Sequence, residues 1–183
     1  MTCREQKQNY ESLNEISQNG GVVLFGSTFS SSMPLHELVE YFEVETPVYN
    51  RSVPGLSVFD AKDYLDTCVL DLQPHKVFIQ LGEEDLDANV SEVVAQYEWL
   101  LYQIHASLRG SRIYVLSVYK KDADTRALNT ALQALAKESG CQFIDVSEIG
   151  GHQKPAFKEF SLLQPFFRDH PLRFGEALTL RHI

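Results

Sequence analysis

Short apolar runs alternate along the chain with stretches in which apolar residues recur every three or four positions. The runs are Val22–Phe25 (VVLF), Pro47–Asn50 (PVYN), Lys76–Gly82 (KVFIQLG), Arg112–Val118 (RIYVLSV) and Cys141–Val146 (CQFIDV). Their brevity and their β-branched and aromatic content predict five strands. Helical spacing covers Met33–Phe42, where Pro34 suits a first turn, then Ser57–Leu72, Asn89–Leu108, and Thr125–Ser139, which Gly140 closes. Residues 2–20 are polar, with Tyr10, Leu13 and Ile16 at helical spacing, and predict an N-terminal helix ended by Asn19–Gly21. Beyond Val146 the pattern is irregular until Arg173–Ile183, which reads as a last helix.

Strands that are apolar on both faces are buried on both faces, which is the pattern of a parallel sheet. Right-handed crossovers then place helices on either side, giving a three-layer α/β/α sandwich with a five-stranded parallel sheet. We expect one domain over residues 21–183, preceded by the N-terminal extension of residues 1–20. Sheets of this kind bind ligands beyond the carboxyl ends of their strands. Three polar clusters fall there: GSTFSSS (Gly26–Ser32), GEEDLD (Gly82–Asp87) and YKKDADT (Tyr119–Thr125).

Composition narrows the partners. A formal net charge of −9 over 183 residues opposes binding to nucleic acid or to an anionic membrane surface. Cys3, Cys68 and Cys141 are far apart and form no CxxC pair, so a disulfide framework or a cysteine-based zinc cluster is not expected. No apolar run approaches the roughly 18 residues of a membrane span. The first residues also lack a signal-peptide core, so a cytoplasmic protein is expected. His36, His75, His105, His152 and His182 are scattered without metal-ligand spacing, and neither a metal nor a cofactor is implied.

Several blocks, in order, resemble the SGNH or GDSL-type hydrolases, a lipase and acylhydrolase family. Leu24–Ser30 (LFGSTFS) is similar to the strand-to-turn block that carries the nucleophile. Val48–Leu86 resembles the family's Asn-Arg-Gly-x-x-Gly turn, helix, strand and Gly-x-Asn-Asp loop. Leu128–Val146 resembles its penultimate helix and last strand, and His170–Leu180 its final block, with His170 five residues before Gly175. The resemblance implies a flavodoxin-like SGNH fold and hydrolysis of small acyl or carbohydrate esters. It places Thr28 at the nucleophile, with Ser27 beside it, His170 at the base, and Gly55 as a backbone oxyanion donor. Glu84 stands where an oxyanion asparagine is expected, and Phe167 where an aspartate would orient the histidine.

Those substitutions bear on chemistry. The methyl of Thr28 crowds attack and stiffens χ1. An ionised Glu84 repels a developing oxyanion, and losing one donor costs about 3–4 kcal/mol. Phe167 cannot hold an imidazole, although Asp169 or Asp145 are alternative partners for His170. Two readings follow: a weak ester hydrolase, or a non-catalytic relative that binds a small ester-like or polar ligand or serves assembly. A third would use the acidic loop with a divalent cation.

Each feature also has a plainer reading. Ser27, Thr28 and Ser30–Ser32 could cap the helix near Met33. GEEDLD could be a solvated loop, and His170 a structural histidine. The aromatic stretch Phe157–Phe174 could cover the sheet edge. The N-terminal extension is a candidate contact for a homodimer.

Overall fold

The computed structural model describes residues 2–121, 123–147, 149 and 155–168. Five strands, β1 (Val22–Gly26), β2 (Val48–Asn50), β3 (Lys76–Gln80), β4 (Arg112–Leu116) and β5 (Gln142–Ile144), form one sheet in the order β2-β1-β3-β4-β5. Every pairing is parallel, with Val22 opposite both Val48 and Lys76, and Lys76 opposite Arg112. The strand ends that matter for the site, Gly26 and Gln80, are therefore neighbours in register.

Alternate strand residues feed two separate cores, as the pleat requires. Val23, Phe25, Val77, Ile79, Ile113 and Val115 face one side. There they meet α1 (Cys3–Asn14) through Tyr10, α4 (Leu65–Cys68) through Leu65, α5 (Val90–Ser107) and α6 (Arg126–Glu138). In α5 the buried residues Val93, Tyr97, Leu100, Leu101 and Ile104 recur at helical spacing, and the Asn89 side chain caps its start. Val22, Leu24, Phe78, Tyr114 and Leu116 face the other side. They meet α3 (Leu35–Tyr41) and α7 (Pro155–Phe167), whose Phe160, Leu163 and Phe167 are fully buried.

Two expectations are corrected here. Ser57–Leu72 is not one helix but two short 3-10 turns, Ala61–Asp63 and Leu70–Leu72, flanking α4. Its helical spacing serves burial of Ala61, Leu65, Cys68 and Leu72 without a continuous helix. The described part of the aromatic stretch, residues 157–168, lies almost wholly in α7 and covers a sheet face rather than an edge, with Phe167 edge-on to Phe78 at 4.8 Å. The N-terminal extension packs on its own chain: Tyr10 is buried and its hydroxyl donates to Ser52 O at 2.6 Å. Arg51 holds that helix from below, its guanidinium 5.1 Å from both the Tyr10 and Tyr49 rings. The helix expected over Arg173–Ile183 lies outside the described residues.

Candidate functional site

The turn after β1 is itself a helix, α2 (Thr28–Ser31), not a cap for the next one. The residue before α3, Pro34, makes no side-chain cap, and the hydroxyls are used elsewhere. Ser31 Oγ and Ser32 Oγ donate to the carbonyls of Thr28 and Phe29 at 2.8 and 2.6 Å. Ser30 Oγ donates to Gln80 Oε1, whose Nε2 donates to Ser117 O at 3.1 Å. Serine is a modest helix former, so tertiary hydrogen bonds fix this turn. Gly26 makes the approach fit, because a Cβ there would lie 2.7 Å from both Gln80 O and Ser30 Oγ. Gly26→Ala is therefore expected to destabilise the protein by about 1–3 kcal/mol, read from urea unfolding.

Thr28 stands at the strand ends with two of its expected partners. Its Oγ1 donates to Glu84 Oε1 at 2.7 Å and accepts the Gly55 N–H at 2.8 Å. Gly55 reaches it from a tight turn at φ +76°, a conformation that glycine adopts without strain. The neighbouring carboxylate is engaged as well: Glu83 Oε1 accepts the Phe29 N–H at 2.7 Å. Burial raises the Glu83 pKa, the Phe29 amide opposes that rise, and Glu84 adds to it. Lys120 draws the loop in from β4, donating to Glu83 O at 2.9 Å and standing 3.9 Å from Glu84 Oε2. Asp85 accepts Ser57 Oγ and the Val58 N–H, the latter at 2.9 Å.

The acidic loop is thus only partly solvated: Glu83 and Asp85 are buried, Glu84 and Asp87 are exposed, and each carboxylate of the Glu83–Asp85 run has a hydrogen-bond donor. Among the described residues, no group of three or more His, Cys, Asp or Glu is placed to hold a metal ion. Ser27 is fully buried and its Oγ has no hydrogen-bond partner, so it does not present a hydroxyl to the cleft. Asp145 accepts Ser117 Oγ at 3.0 Å and the Ser147 N–H at 2.9 Å. Those bonds hold its pKa below the usual carboxylate value against burial, which acts to raise it.

Phe167 does not face this cluster. Its carbonyl accepts from Lys76 Nζ at 3.2 Å, and Lys76 is the first residue of β3, whereas Thr28 lies beyond the last residue of β1. Helix α7 runs against the strand direction and carries Phe167 to the opposite end of the sheet. His170, Asp169 and Gly175 lie outside the described residues.

No protein-family model matches the sequence, and no curated protein matches it. Solved structures do. A Streptococcus pneumonia protein provisionally named a platelet activating factor superposes with a TM-score of 0.77 at 18% identity, over 90% of this chain and 92% of that one. A GDSL-like lipase from Bacteroides thetaiotaomicron gives 0.68 at 16%, over 96% and 92%. The chain has the SGNH hydrolase fold. An acetylxylan esterase variant from Geobacillus stearothermophilus shares that fold at a TM-score of 0.60 and 14% identity, over 90% and 93%. Identities this low establish architecture and leave activity to the site.

On the SGNH scaffold, the residues that motif spacing missed are Glu83, Lys120 and Gln80. Gln80 carried a faint signal, being a polar residue inside a buried strand. Beside the cluster, a cavity of about 270 Å³ opens between α1 and the segment after Gly55, lined by Cys3, Arg4, Lys7, Gly55, Asp60 and Tyr64. No helix among the described residues is long and apolar enough to cross a membrane.

Proposed function

We propose that this chain is a degenerate acylhydrolase: an SGNH/GDSL-type scaffold, built for esters of small acyl or carbohydrate groups, that binds a small polar ligand without turning it over. The observation that carries this reading is the self-occupation of its catalytic groups. The Thr28 hydroxyl donates to Glu84 and accepts the Gly55 N–H, so nucleophile and backbone donor are bonded to each other and a carboxylate stands where an oxyanion would form. Removing one such donor typically costs 10²–10³ in turnover, and replacing it with a negative charge costs more. The open cavity against Gly55 supplies room for a ligand, with Arg4 and Asp60 as polar contacts.

One observation favours a second reading. A hydroxyl 2.7 Å from a carboxylate is a nucleophile–base pair in outline, which would make the chain a slow ester hydrolase with Thr28 attacking and Glu84 taking its proton. Incubation with a short-chain chromogenic ester and with a fluorophosphonate probe separates the two. We expect no labelling of Thr28, and ester cleavage equal to that of Thr28→Ala and His170→Ala. Turnover abolished by Thr28→Ala overturns the non-catalytic reading.

A further inference from the structure

Behind the Thr28 turn lies a buried acid that none of this chemistry uses. Glu159, on α7, is fully buried, and neither of its carboxyl oxygens has a hydrogen-bond partner. It stands beside Gln80, the residue that holds Ser30, and therefore α2, through Oε1. The charge that faces it is Glu83, the same carboxylate that grips the Phe29 amide. The groups hydrogen-bonded to Gln80 are neutral: the Ser30 hydroxyl from α2 and the Ser117 carbonyl after β4. Lys120 meets this cluster from the solvent side at Glu83 O, with nearly half of its side chain exposed.

An ionised carboxylate here would be buried with Gln80 Nε2 as its one nearby donor and Glu83 as the nearest charge, an arrangement that disfavours ionisation. A protonated carboxyl fits the same place. Its O–H can donate to Gln80 Oε1, which has a second lone pair beyond the one taken by Ser30. The spare N–H of Gln80 Nε2 can donate to its carbonyl oxygen. The acid and the amide then form a matched pair, and the orientation this requires is the one that Ser30 and Ser117 already impose on Gln80.

We propose that Glu159 is a positioning residue that holds the α2 turn only while it carries a proton, and that loss of this proton frees Glu83 and the Phe29 amide. The proposal does not depend on whether Thr28 cleaves esters. It accounts for a buried acid on a helix whose neighbouring Phe160 and Leu163 lie in the apolar core. Burial pushes the Glu159 pKa up to about 8, with Gln80 opposing and Glu83 adding to the rise, so release would occur in mildly alkaline solution. Between the ordinary value of 4.5 and about 8 the opened turn has released this proton and the closed one retains it, so the opening equilibrium rises about tenfold per pH unit there and levels off above 8.

Amide hydrogen exchange over residues 27–32, corrected for intrinsic exchange and followed from pH 6 to 9.5, tests this in wild type and Glu159→Gln. In wild type, protection of the Phe29 amide should fall about tenfold per unit from pH 6 to 8 and level off above it, as the one-proton linkage requires. In Glu159→Gln, which keeps a donor and cannot ionise, protection should stay flat. A parallel fall in both proteins overturns the proposal. Should the variant not fold, infrared spectra of wild type decide it. A protonated-carboxyl band at pH 7 that is lost by pH 9.5 supports the proposal, and no such band at pH 7 overturns it.

Discussion

Replacing Glu159 by glutamine is expected to stabilise the protein at neutral pH by about 3 kcal/mol, raising Tm by about 6–12 °C. The sign follows from linkage. The Glu159 pKa lies at about 8 in the folded protein, against an ordinary value of 4.5 that it regains on unfolding. Below 4.5 the side chain is protonated in both states and costs nothing electrostatically. As pH rises toward 8 the unfolded chain releases the proton and the folded one retains it, so stability falls by 1.36 kcal/mol per unit. At pH 7 that loss has run for about 2.5 units, and glutamine, with no proton to release, does not incur it. Above pH 8 both states are ionised and the gain levels off. Thermal unfolding of the two proteins between pH 4 and 9 checks this. The gain should vanish near pH 4.5 and grow with pH; a gain independent of pH would mean that the carboxyl is not held protonated.

The sheet was legible because each strand is a compact apolar run whose alternate residues serve two cores, and those runs survive any detail of the helices between them. Val23 and Phe25 on one side, with Val22 and Leu24 on the other, are the pattern in miniature. α7 was not legible. Its residues Phe157, Phe160, Leu163 and Phe167 bury one face, but Leu162 and Phe166 on other sides are partly exposed and Pro165 interrupts the pattern. α2 was hidden for the opposite reason, since nothing local favours a helix at Thr28–Ser31 and its order comes from Gln80 and Asn50, the latter donating to Ser30 O at 2.9 Å.

The site divides along the same line. The family resemblance grouped Thr28, Gly55 and Glu84, and the structure puts the three in hydrogen-bond contact. Spacing alone could not tell that Glu83 turns inward onto Phe29 while Glu84 meets Thr28, because adjacent side chains in a loop have no period. Nor could three residues' distance from His170 reveal that Phe167 closes a helix running down the sheet. Its burial against Phe78 and Phe160 makes it a core residue first.

The substitution with the largest expected effect on chemistry is the pair Thr28→Ser and Glu84→Asn. Serine removes the methyl that crowds attack. Asparagine exchanges the carboxylate for an amide one methylene shorter, which withdraws the negative charge from the Thr28 hydroxyl and supplies an N–H donor at position 84. The Gly55 N–H, already 2.8 Å from the hydroxyl, becomes the second donor. Recovering one oxyanion donor is worth 10²–10³ in turnover, so the double variant should cleave a short-chain ester about 10²–10³-fold faster than wild type and should label with a fluorophosphonate at position 28. Each substitution alone should recover far less, because a donor without a competent nucleophile, or the reverse, does not lower the barrier in full. Adding His170→Ala to the pair tests the base that the sequence resemblance supplies: the recovered activity should disappear. If the double variant is as inert as wild type, the block lies with Glu83, whose hold on the Phe29 amide both substitutions leave in place, and Glu83→Gln in the same background becomes the deciding measurement.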